Sequence, residues 1–204
     1  MSKLLELAKE MVRLLEEETS EESATVQGGV QLGELAVGET FEMCNREFVV
    51  LKHEDGNTKV ICKDFWAEDE KFGESNDYKE SNIRRIMEED VLPEIEQAVG
   101  AENIVEHEVD LVSVDMQRDK ETLKCKVRPI TFDEAREYNA LIVNKNLDDW
   151  WWTCTPWSTE ARGWKYPIAV VSPSGGINIG LYGNSRGVRP FCILKSNIFV
   201  SKKN

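Results

Sequence analysis

The sequence predicts an α+β fold, and three observations carry that prediction. Between Asp149 and Val200 lie three runs rich in Trp, Val, Ile and Phe, separated by Gly, Pro, Ser and Asn. Between Thr40 and Cys62 three shorter apolar runs are joined by turn-forming residues. Between these two groups the apolar residues take helical spacing and the capping residues of helices appear. Alternating β-branched and aromatic runs bounded by turn residues read as strands, and a three-to-four spacing reads as helix.

In chain order, residues 3–18 predict a short amphipathic helix, with Leu4, Leu7, Met11 and Leu14 on one stripe and Leu5 and Leu15 widening it. This helix either docks on its own domain or serves oligomerisation. Residues 16–29 are rich in Glu, Ser, Thr and Gly and have no aromatics, the composition of a tether. Residues 1–29 are therefore read as helix plus acidic linker, and residues 30–204 as the domain. Thr40 to Cys44, Glu47 to Lys52 and Thr58 to Cys62 predict a three-strand meander, with turns at Asn45-Arg46 and Asp55-Gly56-Asn57. Residues 68–77 are polar and expected to be exposed. Ser81 is a candidate N-cap for a helix over 79–90. Pro93 should interrupt it, giving a second helix over 93–99 closed by Gly100. Residues 106–114 alternate as a strand, and 115–122 form a charged loop. Thr131 and Glu134 have the spacing of a capping box opening a helix to about Asn139.

Composition narrows the classes of function. The chain of 204 residues has 38 acidic against 25 basic residues, a formal net charge of −13. Phosphate neutralisation needs clustered Lys and Arg, so neither nucleic acid nor an anionic membrane surface is an expected partner. The opening residues include Glu6 and Glu10 and hold no apolar signal core, so the expectation is synthesis in a cytoplasm. Five cysteines without C-x-x-C spacing are then expected to be reduced thiols.

Two histidines leave few catalytic options. His53 lies by a turn and His107 in an acidic strand, each without a Ser, Cys or second His at useful sequence spacing. Neither a metal nor a cofactor is expected. Trp151 and Trp152 read as core, and Arg189, flanked by Val188 and Pro190, as a structural tie. The loops 157–166 and 180–186 combine Trp157, Trp164, Tyr166 and Tyr182 with Arg162, Asn184, Ser185 and Arg186. Aromatics beside Arg and Asn are the vocabulary of recognition surfaces. The candidate ligand-binding residues are Trp157, Arg162, Trp164, Tyr166, Tyr182, Asn184 and Arg186.

The order Trp151-Trp152-x-x-Thr155-Pro156, then a strand with a Gly turn, then Gly187-Val188-Arg189-Pro190-Phe191 resembles a signature of a family of unknown function. Its members occur in gut bacteria and their phages, and its usual strings are W-W-L-R-S-P and G-V-R-P-A. Here Cys154 stands where that pattern has Arg. The resemblance runs from about Val37 to Leu194 and implies a fold like that of C-type lectins and formylglycine-generating enzymes. It carries no settled activity. The lectin calcium strings Glu-Pro-Asn and Trp-Asn-Asp are absent from the sequence. The resemblance and the loops together imply a non-enzymatic binding protein, phage or prophage encoded and virion-associated or adhesin-like. It would recognise a host-surface glycan or protein, with the N-terminal helix joining a homo-oligomer or another virion protein. One alternative is an intracellular acidic protein that inhibits a host defence protein. Another is a metal-dependent oxidase of the formylglycine-generating type, with Cys154 and Cys192 as soft ligands.

Overall fold

The computed structural model describes residues 29–203. The Leu4, Leu7, Met11 and Leu14 stripe lies outside the described residues. The described chain is α+β, with two large sheets, a two-stranded ribbon and a few short helices.

The first sheet grows from the meander. Strands β2 (Thr40–Met43), β3 (Arg46–Glu54) and β4 (Asn57–Cys62) pair antiparallel in sequence. Their tight turns take positive φ at Cys44 and Asn45, and again at Asp55 and Gly56. Two consecutive left-handed residues twist a hairpin the way its strands twist, which suits Asn and Asp-Gly. Cys44 thus belongs to the turn and not to the strand that the sequence suggested. Strands β1 (Val30–Gln31) and β14 (Phe199–Lys202) extend one side, and β13 (Phe191–Lys195) and β8 (Val127–Arg128) the other, in the order β1-β14-β2-β3-β4-β13-β8.

Both faces of this sheet are covered. Phe48, Val50, Val60, Cys62, Cys192 and Leu194 meet a helical layer. That layer runs from α1 (Asn82–Ile86) through a π-helical turn (Met87–Val91) into α2 (Leu92–Val99). Here the expected break at Pro93 does not occur. The wider turn precedes the proline, which sits in the first turn of α2, where a missing N–H costs little. On the opposite face Val49, Leu51, Ile61 and Phe191 pack with Ala135, Tyr138 and Ile142 of α3 (Phe132–Glu137) and α4 (Asn139–Ile142). The capping box opens α3 as read from sequence, but the chain kinks at Tyr138 instead of running on to Asn139.

The second sheet has the order β11-β10-β9-β12-β5. Its central strand β9 (Trp151–Pro156) is buried at every residue. It lies between β10 (Pro167–Val171), which hairpins to β11 (Ile177–Leu181), and β12 (Ser185–Val188). The edge strand β5 (Ala67–Lys71) pairs with β12, and within residues 68–77 Glu68, Asp69, Lys71 and Glu74 are exposed as expected. Phe72 and Asn76 are buried within that stretch. Trp151 and Trp152 point to opposite faces of β9: Trp151 joins the α3–α4 side, and Trp152 meets Phe72 edge-on at 5.4 Å.

The run from Val188 to Leu194 is divided at Arg189-Pro190. Gly187 faces Trp151 in the second sheet, whereas Phe191 faces Ile61 in the first. Arg189 makes the crossing possible. Buried and stacked 4.7 Å over the Trp151 ring, it donates to the carbonyls of Cys62 at 2.9 Å and Ile142 at 2.7 Å. Burial pulls its pKa down to about 10. The strand expected over 106–114 shortens to β6 (His107–Val109), because its partner β7 (Leu123–Cys125) offers only three residues. Among the described residues no helix is long and apolar enough to cross a membrane.

Candidate functional site

Past the end of β9 the chain turns through Trp157 and Ser158 and returns to β10 at Pro167. The Asn76 amide anchors this loop from below, donating to the carbonyls of Ser158 at 2.8 Å, and of Trp164 and Pro167 at 3.3 Å each. A buried amide reaching three carbonyls fixes both ends of the loop and leaves its crown to solvent. The crown encloses a shallow pocket of about 310 Å3 bordered by Asp115, Trp157, Ser158, Arg162 and Trp164. Trp164 is 53% exposed.

Asp115 supplies the pocket's negative charge. Burial alone would raise its carboxyl. Hydrogen bonds from Ser113 at 2.6 Å and Ser158 at 2.8 Å, with the Arg162 charge at 3.7 Å, hold it below the ordinary value. The pocket thus offers indole faces, a fixed carboxylate and an exposed guanidinium side by side.

Of the residues read from sequence, Trp157, Arg162 and Trp164 come together here. Exposed Tyr166 and half-buried Tyr182 form a separate pair with ring centroids 5.7 Å apart, beside Lys165. Asn184 and Arg186 do not border the pocket. The Asn184 oxygen accepts the Leu181 N–H at 3.0 Å in the β11–β12 turn. Arg186 lies on β12, not in a loop, and its guanidinium faces Asp149 at 3.4 Å and the Ser185 carbonyl at 2.8 Å. Both make contacts within the chain, and the structure does not bring them to this pocket.

A second concavity, of about 490 Å3, lies beside the first. Its floor is the buried pair Arg128–Glu134, with Nη–Oε distances of 2.6 and 2.7 Å. Arg128 also donates through Nε to His107 Nε2 at 3.0 Å and stacks 4.4 Å over Phe191. Because that ring nitrogen accepts, the imidazole proton sits on Nδ1, which faces the Val105 carbonyl at 3.2 Å. Burial, then the Arg128 charge, lower the His107 pKa to about 4. Burial would raise the Glu134 carboxyl, but the Arg128 charge and hydrogen bonds bring it below its usual range.

Cys125 approaches His107 Nε2 at 4.0 Å, a pairing the sequence did not suggest. It does not make a nucleophilic dyad. The His107 lone pair is already committed to Arg128, and burial pushes the Cys125 thiol up to about 11. All five cysteines are free. Burial pushes the Cys154 thiol up to about 12 and raises that of Cys192, and both lie in one hydrophobic cluster. Among the described residues no group of three or more His, Cys, Asp or Glu side chains is placed to hold a metal ion.

Sequence reading missed the cluster of Arg128, His107 and Glu134. Glu134 was visible as a capping residue, and it keeps that role by accepting the Thr131 N–H at 2.8 Å. Its second role depends on β8 bringing Arg128 alongside, which no local spacing encodes. The only local signal was an arginine between Val127 and Pro129, an apolar setting that asks for a partner.

No protein-family model matches this chain, and neither a curated protein nor a solved structure matches it.

Proposed function

We propose that this chain is a non-enzymatic binding protein with a C-type-lectin-like domain. It recognises a host-surface glycan or protein through the surface of Trp157, Arg162 and Trp164, flanked by Tyr166 and Tyr182. The observation that carries this reading is the pocket itself. Two indoles and an arginine stand around a fixed carboxylate, on a loop anchored by Asn76. A preformed aromatic crown gives contact area with little loss of rotamer freedom. The resemblance described above implies a phage- or prophage-encoded protein that would be virion-associated or adhesin-like. Its N-terminal segment would then join a second copy or another virion protein.

A second reading follows from the net charge of −13: an acidic inhibitor that occupies the basic channel of a host defence protein. A third reading is a metal-dependent oxidase; against it stands the burial of Cys154 and Cys192, which raises both thiols.

The test is adsorption of the fluorescently labelled full chain to intact gut-bacterial cells. Some cells are pretreated with periodate, which cleaves vicinal diols, and others with protease. The binding reading expects saturable adsorption that one treatment removes. Adsorption to no cell type, together with capture of a single cytosolic host protein, would favour the inhibitor reading instead.

A further inference from the structure

We propose that the cavity over Arg128–Glu134 is a second ligand subsite. It takes one residue of a neutral oligosaccharide whose neighbouring residue occupies the Trp157–Trp164 pocket. This deepens the binding reading above and rests on it.

The two concavities adjoin. Phe132 lines the cavity and Trp157 the pocket, and their rings meet edge-on with centroids 6.4 Å apart. Residues 113–116 run between them. Ser113, Val114 and Met116 face the cavity and Asp115 the pocket, while the Val114 N–H is held by the Pro156 carbonyl at 3.0 Å. A ligand lying across the Phe132–Trp157 contact would reach both.

The charge pattern selects the ligand class. Three arginines line the cavity, and each already faces a carboxylate: Arg118 with Asp110, Arg128 with Glu134, and Arg136 with Asp133. Glu108 adds an acid that pairs with none of the three. Each guanidinium is thus matched by a carboxylate, which leaves no unpaired cation for a phosphate, sulfate or sialyl carboxylate. Paired guanidinium and carboxylate groups instead present donors next to acceptors. Vicinal hydroxyls, each both donor and acceptor, complement that pattern. The Phe132 ring supplies an apolar face for the C–H side of a sugar. The volume lies within the usual range for small-ligand sites, roughly 300–1,000 Å3. The floor is also preorganised, since Arg128 is fixed by Glu134, His107 and the Pro129 carbonyl.

The experiment is calorimetric titration of the full chain with neutral gluco-, manno-, galacto-, xylo- and chito-oligosaccharides of one to six residues. Sialylated and sulfated oligosaccharides form a parallel series. Variants are Arg136→Ala at the cavity rim and Trp164→Ala in the pocket, each checked for an unchanged melting temperature. The inference expects at least one neutral series to bind, with affinity rising steeply from one residue to two or three. It expects Arg136→Ala to weaken the longer ligands about tenfold or more, as losing a hydrogen bond to a charged group does. It expects little effect of Arg136→Ala on ligands that fill only the pocket. Neutral ligands sensitive to Trp164→Ala but indifferent to Arg136→Ala would overturn the second subsite and leave the binding reading intact. Binding confined to the anionic series would overturn the neutral class. Cell adsorption without binding to any saccharide would overturn this inference and leave a protein receptor as the binding reading's target.

Discussion

Lowering the pH from 7 to 4.5 should destabilise the domain through one side chain, His107. Its pKa is about 4 in the folded chain, against 6.5 for an unperturbed imidazole, because it is buried and accepts from Arg128. Between those values the unfolded chain binds the proton and the folded chain does not, so stability rises with pH. The contribution is complete above the unfolded value and is lost as pH falls toward the folded one. A shift of this size corresponds to roughly 3 kcal/mol in full, of which about 2.5 kcal/mol is gone by pH 4.5. Glu134 adds little in this window. Its folded pKa lies below the ordinary 4.5, so its contribution is lost only at lower pH. Urea unfolding followed by tryptophan fluorescence, at half-unit steps from pH 7 to 4.5, measures the slope. His107→Gln keeps an acceptor for Arg128 and removes the titration, so its stability should be nearly flat across the same window. Parallel curves for the two proteins would refute the assignment of the buried neutral imidazole.

Three further outcomes are expected. Asn76→Ala should cost about 1–3 kcal/mol by leaving loop carbonyls unpaired, and it should weaken adsorption because Ser158 and Trp164 lose their anchor. Gly187→Ala should cost about 1–3 kcal/mol or more, read as a lower melting temperature, because a Cβ there would stand 2.4 Å from the Phe65 ring. Denatured without reductant, the protein should yield five reactive thiols, and three or one would reveal disulfides.

The legible parts of the fold were those written in short-range chemistry. Asp55-Gly56 marked its hairpin because both positions need positive φ, and Thr131 with Glu134 marked the start of α3. The illegible parts depend on what packs from elsewhere. Arg189 reads locally as a charge inside one strand, yet the carbonyls of Cys62 and Ile142 make it the point where the chain changes sheets. Pro93 reads as a break, but a π-helical turn ahead of it lets the helix continue. At the candidate site Trp157, Arg162 and Trp164 were legible because they lie within eight residues of one another and share a loop. Asp115, Asn76 and the Arg128–Glu134–His107 cluster were not, since each joins residues that only the folded topology makes neighbours. Arg186 shows the converse. It read as a loop residue, and the fold places it on β12 with its guanidinium 3.4 Å from Asp149.

The central claim is that recognition occurs at the Trp157–Arg162–Trp164 crown. The double variant Arg162→Ala/Trp164→Ala tests it most directly, because Trp164 is 53% exposed and the Arg162 side chain 56%. Removing two exposed groups should leave the melting temperature unchanged. Truncating a tryptophan anchor should weaken adsorption to host cells by more than about thirtyfold. Adsorption equal to that of the unaltered protein, with the fold intact, would contradict the account.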